Sequence, residues 1–189
     1  MEVLEAIKTR RSIRRYKSTP VDDRTIETVL EAARWAPSWA NSQCWRFVVV
    51  KDSKIRDKVA EALIGISDRP NRATEALRQA PVVIVACAEL GRSGYSVREP
   101  GKLATDKGDW FMFDVALAMQ NLVLAAHSLG LGTVFIGAFD AKKVAKILGV
   151  PEGFCAVSMT PLGYPDEEPP VRLRKELSEI VFHDNYGSG

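Results

Sequence analysis

The sequence predicts an α+β fold in three layers, and three observations carry that prediction. Helical and strand periodicities alternate in the order helix, helix, strand, helices, strand, long helix, strand, helix, strand. A stretch over 109–129 has apolar side chains on nearly every side, so it must be buried by its own domain or by a partner chain. Finally, 189 residues with 46% hydrophobic and 26% charged side chains is the composition of a soluble globular chain. A chain of this length buries roughly 70% of its unfolded surface, so one large domain is expected.

The elements follow in order. Val3, Leu4 and Ile7 mark a short amphipathic helix running into Arg10-Arg11-Ser12-Ile13-Arg14-Arg15-Tyr16. Asp22 or Asp23 caps the next helix, whose apolar face is Ile26, Val29, Leu30 and Ala33, and Pro37 stops it. A polar and aromatic loop, Pro37-Ser38-Trp39-Ala40-Asn41-Ser42-Gln43, leads into a strand over 45–50 and reads as the lip of a ligand site. Ser53 is expected to cap a helix carrying Ile55, Val59, Ala62 and Leu63, and a helical stretch over 74–79 precedes a strand over 82–88. Residues 89–107 lack periodicity and read as a lid or mobile loop. After the helix at 109–129, ended by Gly130-Leu131-Gly132, come a strand at 133–136, a helix from the Asp140 cap to Leu148 with Gly149 as its stop, and a strand at 154–159. The Pro-rich, charged remainder offers only Leu177, Ile180, Val181 and Phe182 for packing, which suits an arm wrapping a second subunit.

Composition excludes several functions. A formal charge of +2 is too balanced for nucleic-acid binding over a wholesale basic surface, so any anion site is local. No unbroken apolar run reaches the length of a membrane span, the N-terminus lacks a signal-peptide layout, and the arginine pair lacks the apolar stretch of an export signal, so a cytoplasmic location is expected. Cys44, Cys87 and Cys155 are far apart and read as reduced. His127 and His183 have no second ligand at metal spacing, and His127 reads as a hydrogen-bonded core or interface residue. GxSxG, Walker and calcium-loop motifs are absent, and Gly130-x-Gly132 follows a helix where a dinucleotide fold needs a strand.

Two clusters remain. Arg10, Arg11, Arg14 and Arg15 with Ser12 read either as a solvated helix end or as a phosphate site, because guanidinium binds phosphate oxygens bidentately. The amides and hydroxyls of Ser38, Asn41 and Gln43 between Trp39 and Trp45 read either as turn residues beside core aromatics or as a cradle for a flat heterocycle.

With these residues in view, the chain resembles the nitroreductase family over nearly its whole length. The likeness rests on Arg10 to Tyr16, on Ala36-Pro37-Ser38-Trp39-Ala40-Asn41-Ser42-Gln43-Cys44-Trp45-Arg46-Phe47, on Gln120-Asn121-Leu122 running to Gly130-Leu131-Gly132-Thr133-Val134-Phe135-Ile136-Gly137, and on Pro161-Leu162-Gly163-Tyr164-Pro165 followed by Arg172-Leu173-Arg174-Lys175. The resemblance implies a three-layer α-β-α fold with a mostly antiparallel sheet and a domain-swapped C-terminal arm. It also implies a homodimer with FMN at the interface. One domain over 1–189 is expected, with a variable excursion at 65–110 and the arm at 165–189. By the same likeness Arg10, Arg11, Ser12 and Arg174 would hold the FMN phosphate, with Arg172 as rival to Arg174, and Arg14 would lie near flavin N1 and O2. Pro37, Ser38 and Asn41 would reach the partner's flavin, and the backbone at Ile136 and Gly137 would face N5 and O4. Cys44 stands where the family usually carries proline. Trp39, Trp110 and Phe111 are the pocket-wall residues put forward here.

The implied activity is ping-pong hydride transfer from NAD(P)H through the flavin to an electron-poor acceptor, a nitroaromatic or a quinone. The absence of a catalytic acid, base or nucleophile constellation agrees, because the cofactor carries that chemistry. The alternatives are a flavin-fragmenting or reductive dehalogenating relative, a non-catalytic FMN-binding module, and a basic nucleic-acid-binding protein.

Overall fold

The computed structural model describes residues 1–65 and 71–187. Residues 66–70 of the expected excursion and residues 188–189 of the expected arm lie outside the described residues. The helices are α1 (Val3–Thr9), α2 (Asp23–Arg34), α3 (Ser53–Ala60), α4 (Thr74–Gln79), α5 (Phe111–Ser128) and α6 (Ala141–Leu148). The strands are β1 (Trp45–Val50), β2 (Val82–Glu89) and β3 (Phe154–Leu162), in sheet order β1-β2-β3.

Both strand pairs are antiparallel, with Trp45 opposite Ala88 and Val82 opposite Leu162, and a register shift beside Ala86 and Cys87. Successive strand side chains point to opposite faces, so β2, apolar at every position from Val82 to Ala88, must be covered twice. Val82, Ile84, Ala86 and Ala88 pack under α2 and α5, together with Val29, Met119 and Leu122. Val83, Val85 and Cys87 pack on the other side with Val59 of α3, Leu77 of α4 and Val144 of α6. The predicted three-layer α-β-α arrangement with an antiparallel sheet is the one observed.

α5 spans 18 residues with a mean hydropathy of 1.2, long and apolar enough by composition to cross a bilayer, where the sequence led us to expect no such run. It is instead the core helix between α2 and β2, and its one carboxylate, Asp114, is turned inward. A stripe on its far side, including Met112 and Phe113, is exposed.

The structure departs from four further expectations. The apolar face of α1 is turned outward, with Val3, Leu4 and Ile7 exposed and only Ala6 buried. Asp52, not Ser53, caps α3, because the cap oxygen must reach an amide three residues on, and Asp52 accepts from the Ile55 amide at 2.9 Å. The long helix begins at Phe111 and not at 109, with Trp110 as its cap. The strand expected at 133–136 is broken into isolated bridges, Gly132 to Gly163 and Ile136 to Met159. Its ladder fails because the Val134 amide donates to the Thr160 hydroxyl, at 3.1 Å, and not to a strand carbonyl.

Candidate functional site

α1 ends at Thr9 with Arg10 as its cap, and the chain then runs extended past the C-terminal end of α5. Ser12 makes a parallel bridge to Thr133, and the Ile13 amide donates to the Thr133 carbonyl at 2.9 Å. The approach is close because Gly132 lacks a side chain, since a Cβ there would lie 2.8 Å from Ile13 Cβ. A Cβ on Gly163 would lie 2.7 Å from Pro81 Cδ and 3.1 Å from the ring of Tyr16, whose hydroxyl donates to the Ile13 carbonyl at 2.6 Å. Burial and the Glu167 charge push the Tyr16 phenol upward, so it stays neutral. Glu167 accepts from the Arg14 and Arg15 amides, fixing the arginine segment to the start of the arm.

This geometry brings the two ends of the chain together. Arg10 is held below its ordinary pKa by burial first, then by the charges of Arg11 and Arg174. Of the two arm arginines put forward, Arg174 is the one whose charge acts on Arg10. Arg174 itself donates to the carbonyls of Arg172 and Leu173. Among the described residues none of Arg10, Arg11, Arg14 or Arg174 forms an ion pair with a carboxylate. Clustered guanidinium groups that repel each other beside the half-buried Ser12 are a donor set suited to a dianionic phosphate.

Arg10 and Arg11 also line a cavity of about 500 Å³ with His127, Leu131 and Glu167, a lining that does not include Ser12 or Arg174. His127 Nε2 lies 2.8 Å from the Thr9 hydroxyl, which donates to the Glu5 carbonyl, so the imidazole is the donor to Thr9. Burial and then the charges of Arg10 and Arg11 hold His127 below its ordinary pKa, against a smaller opposing effect of Glu5.

Beyond Thr133 the two expected backbone positions part company. Ile136 is buried and pairs with Met159 through both main-chain groups, at 2.9 and 3.0 Å, so it has no free N–H to offer a ring. Gly137 is exposed, and the space where a Cβ would sit is empty, so a flat ligand could approach its backbone.

The loop after Pro37, itself exposed, holds three of the four non-glycine residues with positive φ among the described residues. Ala40, Asn41 and Gln43 all have positive φ, at 44°, 55° and 46°, although none is glycine. Each such residue costs on the order of 1–2 kcal/mol, so the surroundings must impose the conformation. Asp114 does so from α5, at 1% exposure. Its two oxygens each lie 3.1 Å from the Trp39 amide, and Oδ2 also accepts from the hydroxyls of Ser42 at 3.1 Å and Ser93 at 2.7 Å. Ser38 Oγ accepts from the Gln43 amide at 3.0 Å, closing the loop, and Asn41 is left exposed at its tip. Cys44 is buried against Asp114, and burial and that charge push its thiol up to about 11.

Of the three aromatics singled out in the sequence, Trp39 and Trp110 meet, with ring centroids 5.3 Å apart. The third ring of the cluster is Phe113, also 5.3 Å from Trp110, while Phe111 packs against the main core. Asp114 escaped sequence reasoning, although a lone acid in an apolar helix was a signal for it.

Comparisons with known proteins agree with this architecture. The Nitroreductase family profile matches residues 7–164. The chain belongs to the nitroreductase family. A Methanothermobacter thermautotrophicus relative, provisionally named NADH dehydrogenase/NAD(P)H nitroreductase, is 36% identical over 176 residues, 91% of this chain and 82% of its own. The 5,6-dimethylbenzimidazole synthase of Rhodospirillum rubrum is 30% identical over 86% of this chain and 81% of its own. Among solved structures, the NADPH:FMN oxidoreductase of Vibrio harveyi complexed with NAD+ superposes with a TM-score of 0.79 at 26% identity, covering 97% of this chain and 77% of that one.

Proposed function

We propose that this nitroreductase-family protein is an FMN-dependent oxidoreductase taking hydride from NAD(P)H and passing it to an electron-poor acceptor, a nitroaromatic or a quinone, in a ping-pong cycle. The observation that carries the reading is that the half-buried Arg10 feels the charges of both Arg11 and Arg174, while none of the three forms an ion pair with a carboxylate among the described residues. The names of the Methanothermobacter and Vibrio proteins support it. When bound, FMN supplies the hydride chemistry, and the protein supplies binding, orientation and electrostatics. In this reading Arg10, Arg11, Ser12 and Arg174 hold the phosphate, and Arg14 favours negative charge on the pyrimidine edge of the ring. The Gly137 backbone faces the ring, while Pro37, Ser38 and Asn41 of one copy reach the site of the other.

The reading includes a homodimer and a cytoplasmic location, with one domain carrying a variable excursion and an arm. Three exposed apolar surfaces support a second copy: Val3, Leu4 and Ile7 on α1; Met112 and Phe113 on α5; and Leu173, Leu177 and Ile180 in the arm, with Leu173 98% exposed. β1 lies at an edge of the described sheet, open to an added strand.

A second reading, flavin fragmentation, is favoured by the Rhodospirillum relative, whose named product shares with flavin a dimethyl-substituted benzene ring bearing two nitrogens. The absorption spectrum of the purified protein, followed by anaerobic titration with NADH and NADPH, separates the two. Bleaching of the visible flavin band and its return with a nitroaromatic or quinone is the expected result. Oxygen-dependent loss of the flavin itself supports the second reading. A colourless protein that takes up no flavin overturns both.

A further inference from the structure

The 89–110 part of the expected excursion is a built unit despite its irregular backbone. Tyr95 bridges to Leu103, the Ala104 amide donates to the Gly94 carbonyl at 2.8 Å, and the Trp110 amide donates to the Ser93 carbonyl at 3.1 Å. A Cβ on Gly94 would come within 2.7 Å of the Gly108 carbonyl oxygen and 2.8 Å of the Trp110 ring. The unit is fastened to the strained loop twice. Asp114 accepts from both Trp39 and Ser93, and the Trp39 indole N–H donates to the Tyr95 carbonyl at 3.1 Å. Trp39 is therefore fixed in position and orientation by groups from two separate stretches of chain, Asp114 on α5 and Tyr95 in the excursion.

Two clefts flank this tryptophan, of about 410 and 340 Å³, sharing the wall Trp39, Ala40, Tyr95, Ser96 and Val97. The first carries Arg98; the second carries Arg92 and reaches Asn41 and Ser42. Neither cleft has a carboxylate in its lining. The nearby acids are engaged elsewhere or lie outside: Glu99 pairs with Lys102 at 2.7 Å, Asp109 accepts from the Gly91 and Phe111 amides, Asp114 is occupied as described, and Asp106 lines neither cleft. The Arg98 amide donates to Ser96 Oγ at 3.3 Å, but the guanidinium groups of Arg92 and Arg98 form no ion pair or hydrogen bond among the described residues. An aromatic wall between two uncompensated guanidinium groups is an arrangement for a planar ligand carrying negative charge.

We propose that the clefts beside Trp39 bind the anionic group, a carboxylate or a phosphate, of a planar ligand, with Arg92 and Arg98 as its counter-charges. The inference rests on the oxidoreductase reading for the ligand's identity and deepens it, because the loop tip at Asn41 that closes the second cleft is the part assigned to the flavin. The anion belongs either to the electron acceptor or to the nicotinamide donor, where the extra phosphate of NADPH distinguishes it from NADH.

The test compares flavin-loaded wild type with the double variant Arg92→Gln/Arg98→Gln, using 4-nitrobenzoate against the neutral 4-nitrobenzamide and NADPH against NADH. Dissociation constants come from calorimetry, with NADP+ and NAD+ standing in for the reduced nucleotides so that the flavin is not reduced in the cell, and kcat/KM comes from turnover. Wild type is expected to favour the charged member of one pair by about tenfold, and the double variant to lose that preference while handling the neutral member unchanged. Loss confined to the nitrobenzoate pair assigns the anion to the acceptor, and loss confined to the NADPH pair assigns it to the donor. Equal binding within both pairs in wild type, or a preference that survives the double substitution, overturns the proposal. Calorimetry reads the clefts without turnover, so a protein that reduces nothing defeats the oxidoreductase reading while the binding comparison still decides this one.

Discussion

The two carboxylate oxygens of Asp114 share the amide hydrogen of Trp39, each at 3.1 Å, so a buried charge on the core helix dictates the path of a loop 75 positions away. Removing it strands the Trp39 amide and the Ser93 hydroxyl, each costing about 1–3 kcal/mol when left unpaired. Asp114→Ala is expected to lower stability in urea unfolding by about 3 kcal/mol, and Asp114→Asn, which keeps one acceptor oxygen, by less.

If Arg10 and Arg174 hold the flavin phosphate as proposed, their loss appears directly in flavin retention. Arg10→Ala and Arg174→Ala are each expected to weaken FMN binding by about 10- to 100-fold, read by fluorescence titration of the apoprotein. Arg172→Ala should change it little, because Arg174 is the arm cation that acts on Arg10. Equal effects of the two arm substitutions would refute the assignment.

Gly132→Ala tests the close approach beneath the arginine segment. The new methyl would lie 2.8 Å from Ile13 Cβ, and forcing the segment outward costs about 1–3 kcal/mol. A lowered Tm together with weaker FMN binding is expected, because Ser12 shifts with Ile13.

His127 makes stability depend on pH with a definite sign. Its pKa in the folded protein lies below the ordinary 6.5, so the unfolded chain binds the proton more readily. The stabilising contribution is complete above pH 6.5 and is lost as pH falls through the lower folded value. His127→Gln should therefore lose less Tm than wild type between pH 7.5 and pH 5 in scanning calorimetry.

Cys44 should be inert. Its sulfur is fully buried and its thiol pKa is pushed up to about 11, so thiolate is scarce at neutral pH. Iodoacetamide at pH 8 is expected to leave Cys44 unmodified in the folded protein and to alkylate it in urea, as read by peptide mass spectrometry.

The layered fold was legible because β2 is apolar at every position and the helices carry caps such as Asp22 and Asp140, local signals that tertiary contacts reinforced. The break at 133–136 was not legible, because a β-branched run looks the same whether a main-chain carbonyl or the Thr160 hydroxyl takes the Val134 amide. The loop path was hidden for a related reason. Ala40 and Gln43 announce no positive φ, and the group that enforces it lies on a distant helix. At the arginine segment residue types sufficed to suggest an anion, while the availability of Gly137 but not Ile136 depended on pairing with Met159.

The anchoring of the arginine segment to Thr133 and Glu167 sets a timetable for synthesis. Arg14 meets its carboxylate only 153 positions downstream. At about 5–20 residues per second a ribosome takes on the order of ten seconds to add that much chain. Throughout that interval the cationic stretch trails from the nascent polypeptide with its amides in water. In the proposed reading, capture of FMN there is a late event, completed once the final fifth of the molecule has emerged.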